Sequence, residues 1–171
     1  PRFVLGSLGP GTKLPSLGHT TYENLKIAYY TAAKGLSDSG CDALLVESSQ
    51  DLLQVKAAIN GCRQAIGETE RDIVLIAQVT VETTGTMLLG SEIGAALNTL
   101  EPMGIDLIGL NCATGPTEMS EHLRYLSKNA KVAISVMPNA GLPVLGANGA
   151  SYPLGPNELA LALEGFVDDY G

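Results

Sequence analysis

Aromatic residues are few in this chain: tryptophan is absent, phenylalanine occurs twice and tyrosine six times. Positive charge is scarce as well, with 10 Lys and Arg against 18 Asp and Glu for a net charge of −8. No cluster of basic residues interleaves with aromatics, which argues against nucleic acid and against anionic membrane surfaces as partners. No apolar run approaches the length of a bilayer crossing, and no basic, apolar leader opens the chain; the expectation is a soluble, cytoplasmic protein. Cysteine is sparse and odd in number, with Cys41, Cys62 and Cys112 widely spaced and no CxxC pair. A disulfide framework is not expected. Internal repeats, low-complexity segments and linkers are missing too.

What is present is an alternation. The chain has 171 residues, 45% of them hydrophobic, enough for one domain with a core of ordinary size. Five apolar runs, FVLGSL (3–8), ALLV (43–46), IVLIAQV (73–79), DLIGL (106–110) and VAISVM (132–137), are continuous rather than alternating, as in parallel strands covered on both faces. Helix signals separate them. Thr20 and Glu23 read as a capping box before Leu25, Ala28, Ala32 and Leu36, with Gly40 just past the end. Leu52, Val55, Ile59, Cys62 and Ile66 mark a second helix, and Ile93, Ala96, Leu97 and Leu100 a third. Gly115-Pro116 and Gly155-Pro156 start the fourth and fifth, which bury Met119, Leu123 and Leu126, and Leu159, Leu163 and Phe166.

Five strand–helix units in succession mean α/β with a parallel sheet, and right-handed crossovers leave two architectures. One is five of the eight units of a TIM-type (β/α)8 barrel; the alternative is a five-stranded doubly wound sheet. In both, chemistry gathers at the carboxyl ends of strands. Here those ends read Gly6-Ser7, Glu47-Ser48, Gln78 to Thr80, Asn111-Cys112 and Pro138-Asn139. Polar residues at every strand end favour the barrel, because a doubly wound sheet concentrates its site at one switch point.

The loop GSLGPGTK (6–13) nearly matches a phosphate-binding loop, but its last two residues are swapped, Pro10 removes a backbone donor, and Leu14-Pro15 comes next instead of a helix. It reads as an ordinary βα loop. His19 and His122 have no metal-binding spacing and read as solvated or capping residues. Glu47 ends an apolar strand, where an unpaired carboxylate is costly and an ammonium partner is favoured; position alone leaves a functional role and a structural salt bridge both open. Cys112 likewise reads either as a small core residue or as a ligand or nucleophile. Cys41 and Cys62 read as core.

GLNCATGP (109–116), with VLGSLGPGTK before it and MPNAGLP (137–143) after it, resembles the homocysteine-binding domain of the zinc-dependent homocysteine S-methyltransferases. The likeness runs in order along the chain through GSLGP, LLVESSQDLLQVKAA, VTVETTGTMLLGSE, GLNCATGP and MPNAGLP with its downstream YPLGPNELA. The PNAGLP run and the residues after it point to the cobalamin-dependent, methionine-forming branch. The resemblance implies that Cys112 is the first of three zinc-bound thiolates, that Asn111 lines the site and approaches the metal when homocysteine is absent, and that Glu47 pairs with the homocysteine amino group. Ser7 and Asn139 fall on the same face without an assigned role. It further implies methyl transfer from methylcobalamin to the zinc-bound homocysteine thiolate, with cobalamin and methyltetrahydrofolate held by other modules of the parent protein.

The departures are large. The family's upstream Asp-Gly strand and its closing Gly-Gly-Cys-Cys, source of the other two thiolates, are not in this sequence. The expectation is therefore a partial domain over residues 1–171, strands three to seven of eight, inactive alone and binding zinc weakly or not at all. Two unpaired sheet edges would favour self-association.

Overall fold

Each of the five apolar runs forms a strand: β1 (Leu5–Leu8), β2 (Ala43–Ser49), β3 (Val74–Val79), β4 (Leu107–Asn111) and β5 (Ala133–Met137). The computed structural model describes residues 2–146 and 149–171. All five strands pair in parallel, in the order β1-β2-β3-β4-β5. Five helices connect or succeed them: α1 (Tyr22–Asp38), α2 (Leu52–Ile66), α3 (Ile93–Leu100), α4 (Pro116–Asn129) and α5 (Pro156–Tyr170). A small antiparallel hairpin, β6 (Val144–Gly146) with β7 (Gly149–Ser151), was not signalled by any apolar run and lies between β5 and α5.

Strand order and side-chain partition decide between the two architectures. Leu44, Val46, Leu75, Ala77, Ile108 and Leu110 share one core with helix residues such as Ala33, Ile59, Leu97 and Met119. Their alternates along the strands, Ala43, Leu45 and Ile76 with Leu107, form a second cluster that contains no helix residue. Helices therefore cover one face only, as right-handed crossovers between sequential parallel strands require. The doubly wound alternative fails, because it would place helices on both faces and reverse the strand order; the sheet is a segment of a β/α barrel, with the smaller cluster on the inner wall. Each fully buried Leu or Ile in the larger core stabilises the fold by about 1.5–3 kcal/mol relative to exposure.

Two details of the helices differ from the sequence reading. The cap of α1 is Thr21, not Thr20: its hydroxyl accepts from the Asn24 N–H at 3.2 Å. The stripe it buries is Tyr29, Ala33 and Ser37, while Ala28 and Ala32 are exposed and Leu25 and Leu36 half-buried. The shift arises because α1 packs on α2 as well as on the sheet. At their crossing a Cβ on Gly61 would stand 2.6 Å from the Lys26 carbonyl oxygen and 2.7 Å from the Tyr30 nitrogen, so only glycine lets the two backbones touch. Helix α5 starts as expected, with Glu158 accepting from the Gly155 N–H at 2.6 Å. It buries no residue completely, and a cavity of about 220 Å³ lined by Leu123, Ile134, Val136, Leu163 and Phe166 separates it from α4 and β5. No helix among the described residues is long and apolar enough to cross a membrane.

Candidate functional site

The carboxyl end of β2 carries an irregularity. Val46 pairs with Ala77 and the next registered pair is Ser49 with Val79, so Glu47 and Ser48 together stand opposite Gln78. One extra residue in a parallel ladder is a bulge, and Ser48 adopts a left-handed φ of 55° to make it. The bulge takes the Ser48 N–H out of the ladder, and the Asn111 side chain at the end of β4 supplies its acceptor, Oδ1, at 2.8 Å. Thr80 resumes the pairing, its N–H donating to the Ser49 carbonyl at 2.9 Å, while its hydroxyl donates to the Asn111 carbonyl at 3.1 Å.

Strand β4 ends in the same way. Cys112 and Ala113 come after Asn111 with φ of 56° and 58°, and the Cys112 N–H donates to the Met137 carbonyl of β5 at 3.1 Å. Non-glycine residues held in this region cost about 1–3 kcal/mol each and persist only where the surroundings enforce them. Here the enforcing group is Asn111, which is 2% exposed. Its Nδ2 donates to the Ser48 hydroxyl at 2.8 Å, to Glu47 Oε2 at 3.2 Å and to the Cys112 sulfur at 3.3 Å. The strained turn leaves the Cys112 thiol exposed at the rim, with the Ser48 hydroxyl 3.8 Å from it.

Glu47 completes the cluster. Its Oε1 accepts from the Ser7 hydroxyl at the end of β1, and its Oε2 from Asn111 and, at 3.4 Å, from the Ser48 hydroxyl. The ion pairs among the described residues, Lys26–Glu23, Lys34–Asp38 and Arg124–Glu121, all lie elsewhere. Of the two roles that position left open for Glu47, the structural salt bridge does not form among these residues. Ser7, Glu47, Asn111 and Cys112, read from the sequence as belonging to one rim, are brought together; Asn139 sits on the same side, its N–H donating to the Thr114 carbonyl at 3.0 Å, without touching the cluster.

The family model of the homocysteine S-methyltransferases matches residues 1–170. The chain belongs to the homocysteine S-methyltransferase family. It is 66% identical over 170 residues to methionine synthase of Mycobacterium tuberculosis (strain ATCC 25618 / H37Rv) and 65% identical to methionine synthase of Mycobacterium leprae (strain TN). Each alignment takes in 99% of this chain but 14% of the relative, so the chain spans a small part of the proteins it matches. Among solved structures, the homocysteine methyltransferase MmuM of Escherichia coli superposes in its apo form with a TM-score of 0.66 at 19% identity, over 81% of this chain and 50% of that one. Its metallated form gives 0.62 at 18% identity. At that identity the likeness concerns the fold, and it agrees with the barrel segment described above.

Within this homocysteine S-methyltransferase segment the remaining candidates keep their modest readings. The loop after β1 leads into a short 3-10 turn (Pro15–Leu17), not into the helix a phosphate loop needs. It is tied down by Asp51, which accepts from the Ser16 N–H and hydroxyl at 3.0 and 2.7 Å, and by Gln54, whose amide donates to the Lys13 carbonyl at 3.1 Å. His19 accepts from the Leu14 N–H at 3.3 Å. His122 lies on α4, where burial holds its imidazole below the usual histidine range. Cys41 and Cys62 are buried, and burial pushes the Cys62 thiol up to about 12. Sequence reasoning named Ser48 and Gln78 only as part of strand ends and gave neither a role. The bulge that recruits Ser48 leaves no mark in the sequence, whereas Gln78, a polar side chain inside IVLIAQV, was a visible anomaly.

Proposed function

We propose that residues 1–171 form strands three to seven of the eight-stranded homocysteine-binding barrel of a methionine synthase, whose complete form transfers a methyl group from cobalamin to homocysteine to give methionine. The observation that carries the reading is the convergence of a carboxylate, an amide and a thiol from β2 and β4 at one rim, in a chain 66% identical to a methionine synthase. Glu47 is the acceptor for the homocysteine ammonium. The neutral donors now on it, Ser7, Ser48 and Asn111, orient the carboxylate but leave its charge uncompensated, and an ammonium supplies the opposite charge. Asn111 holds the carboxylate and the thiol in fixed relation and lines the pocket.

Zinc is tested against the donors present. No group of three His, Cys, Asp or Glu converges among the described residues, and a catalytic zinc needs three protein ligands. This chain by itself does not fit the ion. We assign Cys112 as one of three thiolates, with the other two supplied from outside this chain, which leaves the isolated chain inactive. When bound, zinc would deprotonate the substrate thiol and hold its sulfur. Cobalamin and methyltetrahydrofolate belong to other modules of the parent, and three unpaired cysteines suit a reducing, cytoplasmic setting. The unpaired edges of β1 and β5 favour self-association of the isolated chain, and a monodisperse monomer at high concentration would count against this.

The test is zinc content by metal analysis of this chain and of one extended through the next strand and its Cys-Cys pair. Zinc is expected only in the extended chain and is expected to be lost on Cys112→Ala. Zinc in neither chain, both folded, overturns the ligand assignment. In the full-length protein Glu47→Gln is expected to weaken homocysteine binding; unchanged affinity removes the ammonium role.

A further inference from the structure

Gln78 is completely buried on the inner wall of the sheet, in a strand whose other inward residue near it, Ile76, is apolar. Its amide nitrogen reaches over β4 to donate to the Ser135 hydroxyl of β5 at 2.8 Å. The span is possible because the residue between them in register is Gly109, where a Cβ would stand 1.9 Å from the Ser135 carbonyl oxygen. Its Oε1, by contrast, is a buried acceptor with no donor. An amide carbonyl left in that state forfeits its hydrogen bonds to water without replacement, and such groups are rare unless a ligand, a water or a moving side chain completes them.

Register decides what can complete this one. Val46 pairs with Ala77, so the next residue of β2, Glu47, is the side chain beside Gln78 across the ladder. Donors are thus unevenly shared along one wall: Glu47 takes three, from Ser7, Ser48 and Asn111, while its neighbour Gln78 Oε1 takes none. An alkylammonium carries three N–H donors and can serve two adjacent acceptors at once. We infer that Gln78 is a substrate-binding residue, its Oε1 accepting a second hydrogen bond from the ammonium group that Glu47 neutralises. Ser135, accepting from Gln78 Nε2, fixes the orientation of the amide. The inference rests on the homocysteine reading above and extends it: it makes recognition of the α-amino group a two-acceptor device, selective for a cationic nitrogen.

The experiment compares two ligands of the full-length protein by calorimetry, L-homocysteine and 4-mercaptobutanoate, which has the same thiol and carboxylate but no ammonium. Gln78→Leu and the more flexible Gln78→Met are both made, with circular dichroism to establish folding. Both variants are expected to raise the Kd for homocysteine about tenfold or more, the loss of a hydrogen bond to a charged group, and to leave 4-mercaptobutanoate unchanged. Ser135→Ala is expected to move homocysteine affinity in the same direction by less. Equal weakening of both ligands assigns Gln78 to the fold and overturns the inference, as does no weakening of either. If the unaltered protein fails to bind homocysteine, or binds it no better than 4-mercaptobutanoate, the homocysteine reading itself falls.

Discussion

Removing the Asn111 side chain tests whether one amide holds two strained strand ends together. Asn111→Ala takes away the acceptor for the Ser48 N–H at 2.8 Å, the donor to the Ser48 hydroxyl at 2.8 Å and the donor to Glu47 at 3.2 Å. Two neutral hydrogen bonds contribute about 1 kcal/mol each, and one to a charged group about 1.5–3 kcal/mol. Against that gross loss of about 3.5–5 kcal/mol stands relaxation of the freed Ser48 from its positive φ, worth about 1–3 kcal/mol. The net loss is about 0.5–4 kcal/mol, a fall of roughly 1–16 °C in Tm for a domain of this size. Asn111→Asp separates the parts. It keeps an acceptor for Ser48 but replaces the donor on Glu47 with a second carboxylate. Like charges raise carboxylate pKa values above those of the unfolded chain, so the folded state binds more protons and this penalty is full at neutral pH and fades as pH falls through the carboxylate range. Urea unfolding of both variants at pH 5 and pH 8 is the assay. Loss of less than about 0.5 kcal/mol in Asn111→Ala, or no pH dependence beyond the parent chain's in Asn111→Asp, would refute the clamp.

Two glycine substitutions should have opposite signs although both lie in helices. Gly35 on α1 has open space where a Cβ would go, so Gly35→Ala should stabilise by about 0.5–1 kcal/mol, whereas Gly61→Ala drives a methyl into the backbone of α1 and should destabilise by about 1–3 kcal/mol. Thermal melts of the pair settle the helix contact, and a neutral Gly61→Ala would disprove it. Thiol accessibility offers a separate check: at pH 8 the folded chain should take up one equivalent of an alkylating reagent, at the exposed Cys112, while buried Cys41 and Cys62 react only on unfolding. Burial raises the Cys62 thiol to about 12, which keeps its thiolate scarce at that pH; fast loss of all three thiols in native buffer would contradict the core.

Sequence alone determined the elements and which polar side chains share a rim. A parallel strand covered on both faces must be apolar along its length, so the five runs announced five strands, and proline after glycine announced the starts of α4 and α5. Polar residues at every strand end placed Glu47, Asn111 and Cys112 on one rim, because successive parallel strands point the same way. Tertiary structure decided the rest. Whether helices cover one face or two depends on strand order, which no local signal encodes, and the doubly wound alternative fell only there. The buried stripe of α1 turned by one residue because its partner, α2, touches it through Gly61, more than twenty residues beyond its end. Most consequential is the bulge at Glu47 and Ser48, a mismatch of register between β2 and β3 that belongs to neither strand by itself. Only once the strands are paired does it free the Ser48 N–H for Asn111, since a hydrogen-bond ladder is a property of two strands and their register is settled by packing at a distance along the chain.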